Sequence, residues 1–105
     1  MIQIKIFKKE NVIDKIVIDG HSGYDVSGRD IVCAGVSSIT ITTVNAILKL
    51  NSTAIRYNKK DGFLSIEVMV HTEVIDLLLE NMISLLKEMQ EQYTKYIKYE
   101  EVQDE

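Results

Sequence analysis

Apolar and polar residues alternate from the first positions of the chain. Ile2, Ile4 and Ile6 lie between Gln3, Lys5 and Phe7, and a second β-rich run from Val12 to Asp19 follows the polar link Lys9-Glu10-Asn11. A period of two puts successive side chains on opposite faces, so this stretch predicts a β-hairpin. From Ile31 or Val32 to about Leu50 the spacing lengthens to three and four. Val36, Ile39, Thr43, Ile47 and Leu50 then predict one buried stripe on a helix whose β-branched residues need tertiary packing to hold them. Alternation returns in Ala54 to Asn58 and Phe63 to Val70, joined through Lys59-Lys60-Asp61-Gly62, where Asp-Gly is a turn signal. Leu64, Ile66, Val68 and Val70 form the core face of this second hairpin.

The strongest helical pattern comes last. It starts near Thr72 and Val74, and Ile75, Leu78, Met82, Leu85, Leu86, Met89, Tyr93, Tyr96 and Ile97 keep helical spacing over about six turns. Val74, Leu77, Leu79 and Ile83 widen the apolar band beyond what one sheet contact requires, which suggests a subunit contact as well. The residues from Tyr99 to Glu105 are largely acidic and read as a frayed tail. The expected architecture is α+β, in the order ββαββα, with a small, mostly antiparallel sheet and two helices packed on one face. A helical crossover could introduce a parallel pairing. At 105 residues, positions 1–105 are expected to form one domain.

Composition narrows the function classes. The charged share is 27% and the net charge −4, which argues against a protein built mainly to hold a phosphate backbone. Lys8-Lys9 and Lys59-Lys60 fall at predicted turns and read as solvated charges. The long uncharged run from Ile31 to Leu48 is interrupted by serines, threonines and an asparagine, so no membrane span is expected. The alternating first residues lack the basic and apolar blocks of a secretory signal. A cytoplasmic location is the expectation, and the single cysteine, Cys33, suits a reducing compartment as a free thiol.

Chemistry concentrates in one segment. His21 stands on the glycine-bearing stretch Gly20-His21-Ser22-Gly23, and Cys33 lies twelve residues on, just after Asp30 at the expected start of the first helix. Asp30 suits an N-cap, because its carboxylate can accept from the unpaired amides of the first turn. A helix N-terminus and a neighbouring imidazolium each favour thiolate over thiol, so the pair could support cysteine-dependent acyl transfer. Taken singly, a cysteine is more often a small buried hydrophobe. A phosphate cradle built on Gly20, Gly23 and Gly28 lacks P-loop spacing, and a zinc site from Cys33, His21, His71 and an acidic residue lacks a close ligand pair. His71 more simply ends a strand ahead of the Thr72 cap.

Gly20-His21-Ser22-Gly23-Tyr24, Gly28 and Asp30-Ile31-Val32-Cys33-Ala34-Gly35-Val36-Ser37 resemble the signature of the ribosomal-processing cysteine protease family called Prp. The match covers the site segment closely, and length and element order extend the likeness over nearly the whole chain. The resemblance implies a catalytic pair of His21 and Cys33. It also implies supporting or substrate-binding positions at Asp30, Ser37, Gly20, Gly23 and Gly28, and no metal or other cofactor. It further implies a homodimer that removes an N-terminal extension from the large-subunit ribosomal protein numbered twenty-seven. That ribosomal segment would be the partner, with neither membrane nor direct nucleic-acid binding. Three positions depart from the family's pattern: Ser22 where alanine is common, Asp25 where a small residue is frequent, and Gly35 where another alanine is usual. Gly35 is expected to loosen the platform under the cysteine.

Backbone amides around Cys33 are the expected oxyanion donors. Ser37, one helical turn on, is expected to share its face and shape the pocket. The loop from Ser22 to Arg29, with Tyr24 and Val26 as its large apolar anchors, is expected to close over an extended peptide. His21 and Cys33 are therefore expected to stand apart without substrate. The competing class is a noncatalytic ribosome-assembly or peptide-binding module in which Cys33 is packing alone.

Overall fold

The computed structural model describes residues 1–26 and 28–104. The chain runs β1 (Ile2–Lys9), β2 (Val12–Asp19), α1 (Ile31–Leu50), β3 (Ile55–Lys60), β4 (Phe63–Val68), α2 (Glu73–Gln92) and β5 (Ile97–Asp104). The ββαββα order is present, followed by a fifth strand. Sheet order is β3-β4-β2-β1-β5, antiparallel throughout except that β5 lies parallel to β1.

Both hairpin turns follow from local chemistry. Glu10 and Asn11 carry φ of 53° and 65°, the two left-handed residues that match a two-residue turn to the twist of its strands. The second hairpin turns at Asp61-Gly62, so β3 reaches two residues further than expected, to Lys60, and β4 ends two earlier, at Val68. The helices then act as crossovers. α1 carries the chain from β2 past β4 to β3, and α2 carries it from β4 past β2 and β1 to β5. The two source strands are antiparallel and the crossovers run in opposite directions, so connections of one hand place both helices on the same face.

That face is the core. Ile2, Ile4 and Ile6 of β1, Ile16 and Ile18 of β2 and Leu64, Ile66 and Val68 of β4 are buried beneath Val32, Val36, Val44 and Ile47 of α1 and Ile75, Leu79, Met82, Ile83 and Leu86 of α2. The opposite face is mixed and more open, with cross-strand rows such as Arg56–Glu67–Lys15.

Three sequence expectations are corrected. The buried stripe of α1 is Val32, Val36, Thr40, Val44 and Ile47, whereas Leu50 is 59% exposed. Thr40 can be fully buried because its hydroxyl donates to the Val36 carbonyl at 2.8 Å, so it brings no unpaired polar group into the core. α2 stops at Gln92: Tyr93 caps it with φ −124°, and Tyr96 and Ile97 donate back to the Tyr93 carbonyl in a turn. Ile97, expected on the helix, begins β5. The frayed tail expected from residue 99 onward is instead the rest of β5, paired residue by residue with β1, with Glu105 outside the described residues. Its Glu101, on the helix-bearing side of the sheet but solvent-exposed, is met by Lys8 and Lys87 at 2.5 and 3.6 Å.

α1 is also long and apolar enough, by length and composition, to cross a bilayer. Core helices meet the same measure, and here one face of α1 is packed into the protein.

Candidate functional site

The site lies where the end of β2, the start of α1 and the β3–β4 turn converge. Gly20 closes β2 with φ 96°, and a Cβ there would collide with the Met1 carbonyl oxygen. Its N–H donates to the Gly62 carbonyl at 2.8 Å, which ties the start of the loop to the second hairpin. Only glycine meets both demands at this position.

Asp30 is the N-cap of α1 with extended φ and ψ of −82° and 102°, and its Oδ1 accepts from the N–H groups of Val32 and Cys33, each at 3.0 Å. Oδ2 accepts from the Ser22 hydroxyl and, at 3.4 Å, from the Asp25 N–H. Burial alone would raise the Asp30 pKa. The hydrogen bonds from Ser22, Cys33, Asp25 and Val32 outweigh it and hold the carboxyl at about 2. Asp30 thus acts as the cap expected of it, and no bond from it to His21 occurs among the described residues.

This cap has a cost for the oxyanion expectation. The amides of Val32 and Cys33 are taken by the carboxylate and that of Ala34 by the Asp30 carbonyl, so these helix-start donors are already occupied. The loop supplies a different donor: Ser22 N–H points at the Cys33 Sγ from 3.4 Å.

Ser22 was singled out in the sequence only as a departure from alanine, yet it is 4% exposed and central. Its hydroxyl donates to Asp30 and accepts from the Tyr24 N–H at 3.1 Å, a serine turn that folds the loop against the cap. A Ser22→Ala variant is expected to lose about 1–2 kcal/mol in urea unfolding, because a buried carboxylate oxygen loses its principal donor. Its acid-unfolding midpoint should also move to higher pH.

Tyr24 anchors the loop from the other side. Its ring meets Tyr93 at 5.8 Å and Tyr96 at 5.2 Å, both edge to face, on the link between α2 and β5. Val26, expected as a second anchor, is 59% exposed and holds nothing. Gly35 has a packing role. A Cβ there would stand 2.7 Å from the Met89 terminal methyl, so the bare backbone at Gly35 is where the Met89 side chain of α2 packs beside the start of α1.

His21, Cys33, Ser37, Gly20, Gly23, Gly28 and Asp30 line one open groove of about 920 Å³, floored by Ile2, Ile18, Val36 and Leu64 and rimmed by the hairpin residues Lys59 to Phe63. The sequence-predicted residues are therefore brought together. Cys33 is half-buried, whereas the His21 side chain is 64% exposed; the two face the same space without bonding to each other. His71 lies elsewhere, beside Asp76 at 3.0 Å ahead of the Thr72-capped α2.

Comparisons with known proteins give the frame for this geometry. The family model described as Cysteine protease Prp matches residues 1–98. This chain belongs to the Prp cysteine protease family. The ribosomal processing cysteine protease Prp of Staphylococcus aureus is 33% identical over 92 residues, spanning 85% of this chain and 87% of the relative. A crystal structure of the essential S. aureus Prp in complex with a covalently linked product peptide matches with a TM-score of 0.90 and 30% identity, over 96% of this chain and 99% of that one. A second S. aureus Prp structure, in complex with a substrate peptide, matches at 0.85 and 28% with the same coverage.

Proposed function

We propose that this Prp-family protein is an endopeptidase using Cys33 as nucleophile and His21 as its proton-transfer partner. The observation that carries the reading is the position of the chain's only thiol. It sits at the start of α1, in a groove shared with His21, in a fold whose S. aureus relative has been seen covalently linked to a product peptide.

In the proposed reaction the Cys33 thiolate attacks the scissile carbonyl carbon, forming a C–S bond and a tetrahedral oxyanion. The Ser22 N–H, already directed at Sγ, is placed to receive that charge. Collapse breaks the C–N bond as His21 donates its proton to the leaving amine. A water then gives a proton to His21 and attacks the thioester, releasing the acid and restoring the thiolate. Ser37 and the loop glycines Gly23 and Gly28 border the groove and shape the path of an extended chain.

The proposed substrate is the N-terminal extension of the large-subunit ribosomal protein numbered twenty-seven, cut in the cytoplasm during ribosome maturation. The proposed working unit is a homodimer, supported by the outward Val74, Leu77 and Leu85 of α2, which are 53%, 63% and 38% exposed.

Mass spectrometry of that ribosomal protein, incubated with wild type or Cys33→Ser, tests the assignment. Wild type is expected to release the extension, while a folded Cys33→Ser leaves the substrate at full length and still binds its N-terminal peptide. Peptide binding without cleavage by wild type would favour the binding-module reading instead.

A further inference from the structure

A proton-transfer histidine needs a fixed ring direction, yet most of the His21 side chain is in solvent, and among the described residues its own loop gives the ring no hydrogen-bond partner. The β3–β4 turn provides one. Gly62, at φ 69°, is so close beneath the imidazole that a Cβ on it would stand 2.7 Å from Nε2, 3.3 Å from Cδ2 and 3.4 Å from Cε1. The Nε2 edge of the ring therefore rests on bare backbone. The next carboxylate along, Asp61 Oδ1, lies 4.0 Å from the same nitrogen. Because the Gly62 carbonyl also holds the Gly20 N–H, the turn and the residue preceding His21 form one connected unit.

We propose that the Asp61–Gly62 turn positions His21. Gly62 supplies the seat, and Asp61 accepts the Nε2–H, which leaves Nδ1 as the nitrogen that exchanges the proton with Cys33. This rests on the His21–Cys33 reading above. The present 4.0 Å, to an Asp61 side chain that is 99% exposed, is beyond hydrogen-bond reach, so the role requires the contact to tighten in the peptide complex, as catalytic hydrogen bonds often do. A carboxylate on the far side of the ring stabilises the imidazolium and fixes its tautomer, as in other nucleophile–base pairs with a third, orienting member. Asp61 touches neither thiol nor substrate in this arrangement and acts only through His21.

The sign of the effect separates this role from simple electrostatics. Removing an exposed carboxylate from the rim of a thiolate site should, by charge alone, favour the thiolate and speed its alkylation. Loss of a positioning residue should slow it. The experiment is the rate of iodoacetamide modification of Cys33 at neutral pH in wild type, Asp61→Ala, Asp61→Asn, His21→Ala and the Asp61→Ala/His21→Ala double variant. Asp61→Ala is expected to slow modification about three- to tenfold, within the range for residues sharing one network. Asp61→Asn, which keeps an acceptor, should recover much of that loss, and Asp61→Ala should have no further effect once His21 is alanine. Gly62→Asn tolerates the positive φ but puts a Cβ into the ring, so it should slow the reaction while the protein still melts cooperatively.

Unchanged or faster modification in Asp61→Ala, with His21→Ala slow, overturns the positioning role and leaves the His21–Cys33 pair standing. Equal slowing by Asp61→Ala in both backgrounds overturns it as well. If His21→Ala itself is neutral, the pair fails and this inference falls with it.

Discussion

Truncation after Tyr96, which removes β5, is expected to abolish cooperative folding. β5 pairs with β1 along its whole length, and Ile97 is 1% exposed in the core. Burying such a side chain is worth about 2–3 kcal/mol. Its loss would be joined by the ladder hydrogen bonds and by the Lys8–Glu101–Lys87 cluster that ties β1, β5 and α2 together. A domain of this size has about 5–15 kcal/mol in total, so the combined loss takes most of it. The uncovered edge of β1 would also offer unpaired backbone to another chain. Circular dichroism melting and size-exclusion chromatography check this: the truncated chain should show no sharp transition and should aggregate. A full-strength transition would mean that the segment is a dispensable tail, as its acidic composition suggests.

Why the sequence misleads at that end is physical. Ile97, Tyr99 and Glu101 do alternate with Lys98, Glu100 and Val102, which is a strand pattern. However, the position at 101 on the apolar side of that pattern holds a carboxylate, which stays solvent-exposed and pairs with two lysines, one of them 93 residues earlier in the chain. Burial acts against that carboxylate, but the bonds and charges of Lys8, the largest influence, and Lys87 hold its pKa below the ordinary glutamate range. Helical period misleads just upstream. Tyr93, Tyr96 and Ile97 continue the spacing of α2 for a different reason, since the tyrosines receive Tyr24 from the site loop and Ile97 enters the sheet. The first four strands and both helix starts were legible because each has a local signal: alternation, a turn dipeptide, or a capping side chain. The parallel pairing of β5 is a long-range event with no local signature.

The site divides in the same way. Asp30 could be read as a cap from its place before an apolar-periodic run, and His21 and Cys33 from their glycine-hinged spacing. Ser22, by contrast, acquires its importance only when the loop folds back and brings its hydroxyl to Asp30 and its N–H to Cys33. Gly62 and Asp61 announce a turn and nothing more, because their approach to His21 depends on β2 and β4 being neighbours in the sheet. The competition for the helix-start amides was hidden for a related reason. A good N-cap and a free helix-start donor draw on the same amides, and here the cap has them.

Asp30 should accordingly give the largest response of any polar side chain in the fold. Asp30→Ala removes the cap of α1, worth about 0.5–2 kcal/mol. It also strands the buried Ser22 hydroxyl, at about a further 1–3 kcal/mol. Urea unfolding should therefore show a loss of about 2–4 kcal/mol. Its pH dependence has a fixed sign. The carboxyl titrates at about 2 in the folded chain against 3.8 as its ordinary value, so its contribution is complete above about pH 5 and disappears as pH falls from 4 towards 2. The linked free energy is about 2 kcal/mol. Asp30→Asn keeps an oxygen for the Val32 and Cys33 amides but has no proton to gain, so it should start less stable at pH 7 and lose less on acidification. If wild type and Asp30→Asn lose stability in parallel between pH 5 and 2, the low pKa is not what couples this cap to the fold. A gap between them that closes by about 2 kcal/mol would identify the Ser22–Asp30–Cys33 cluster as the acid-sensitive joint between loop and helix.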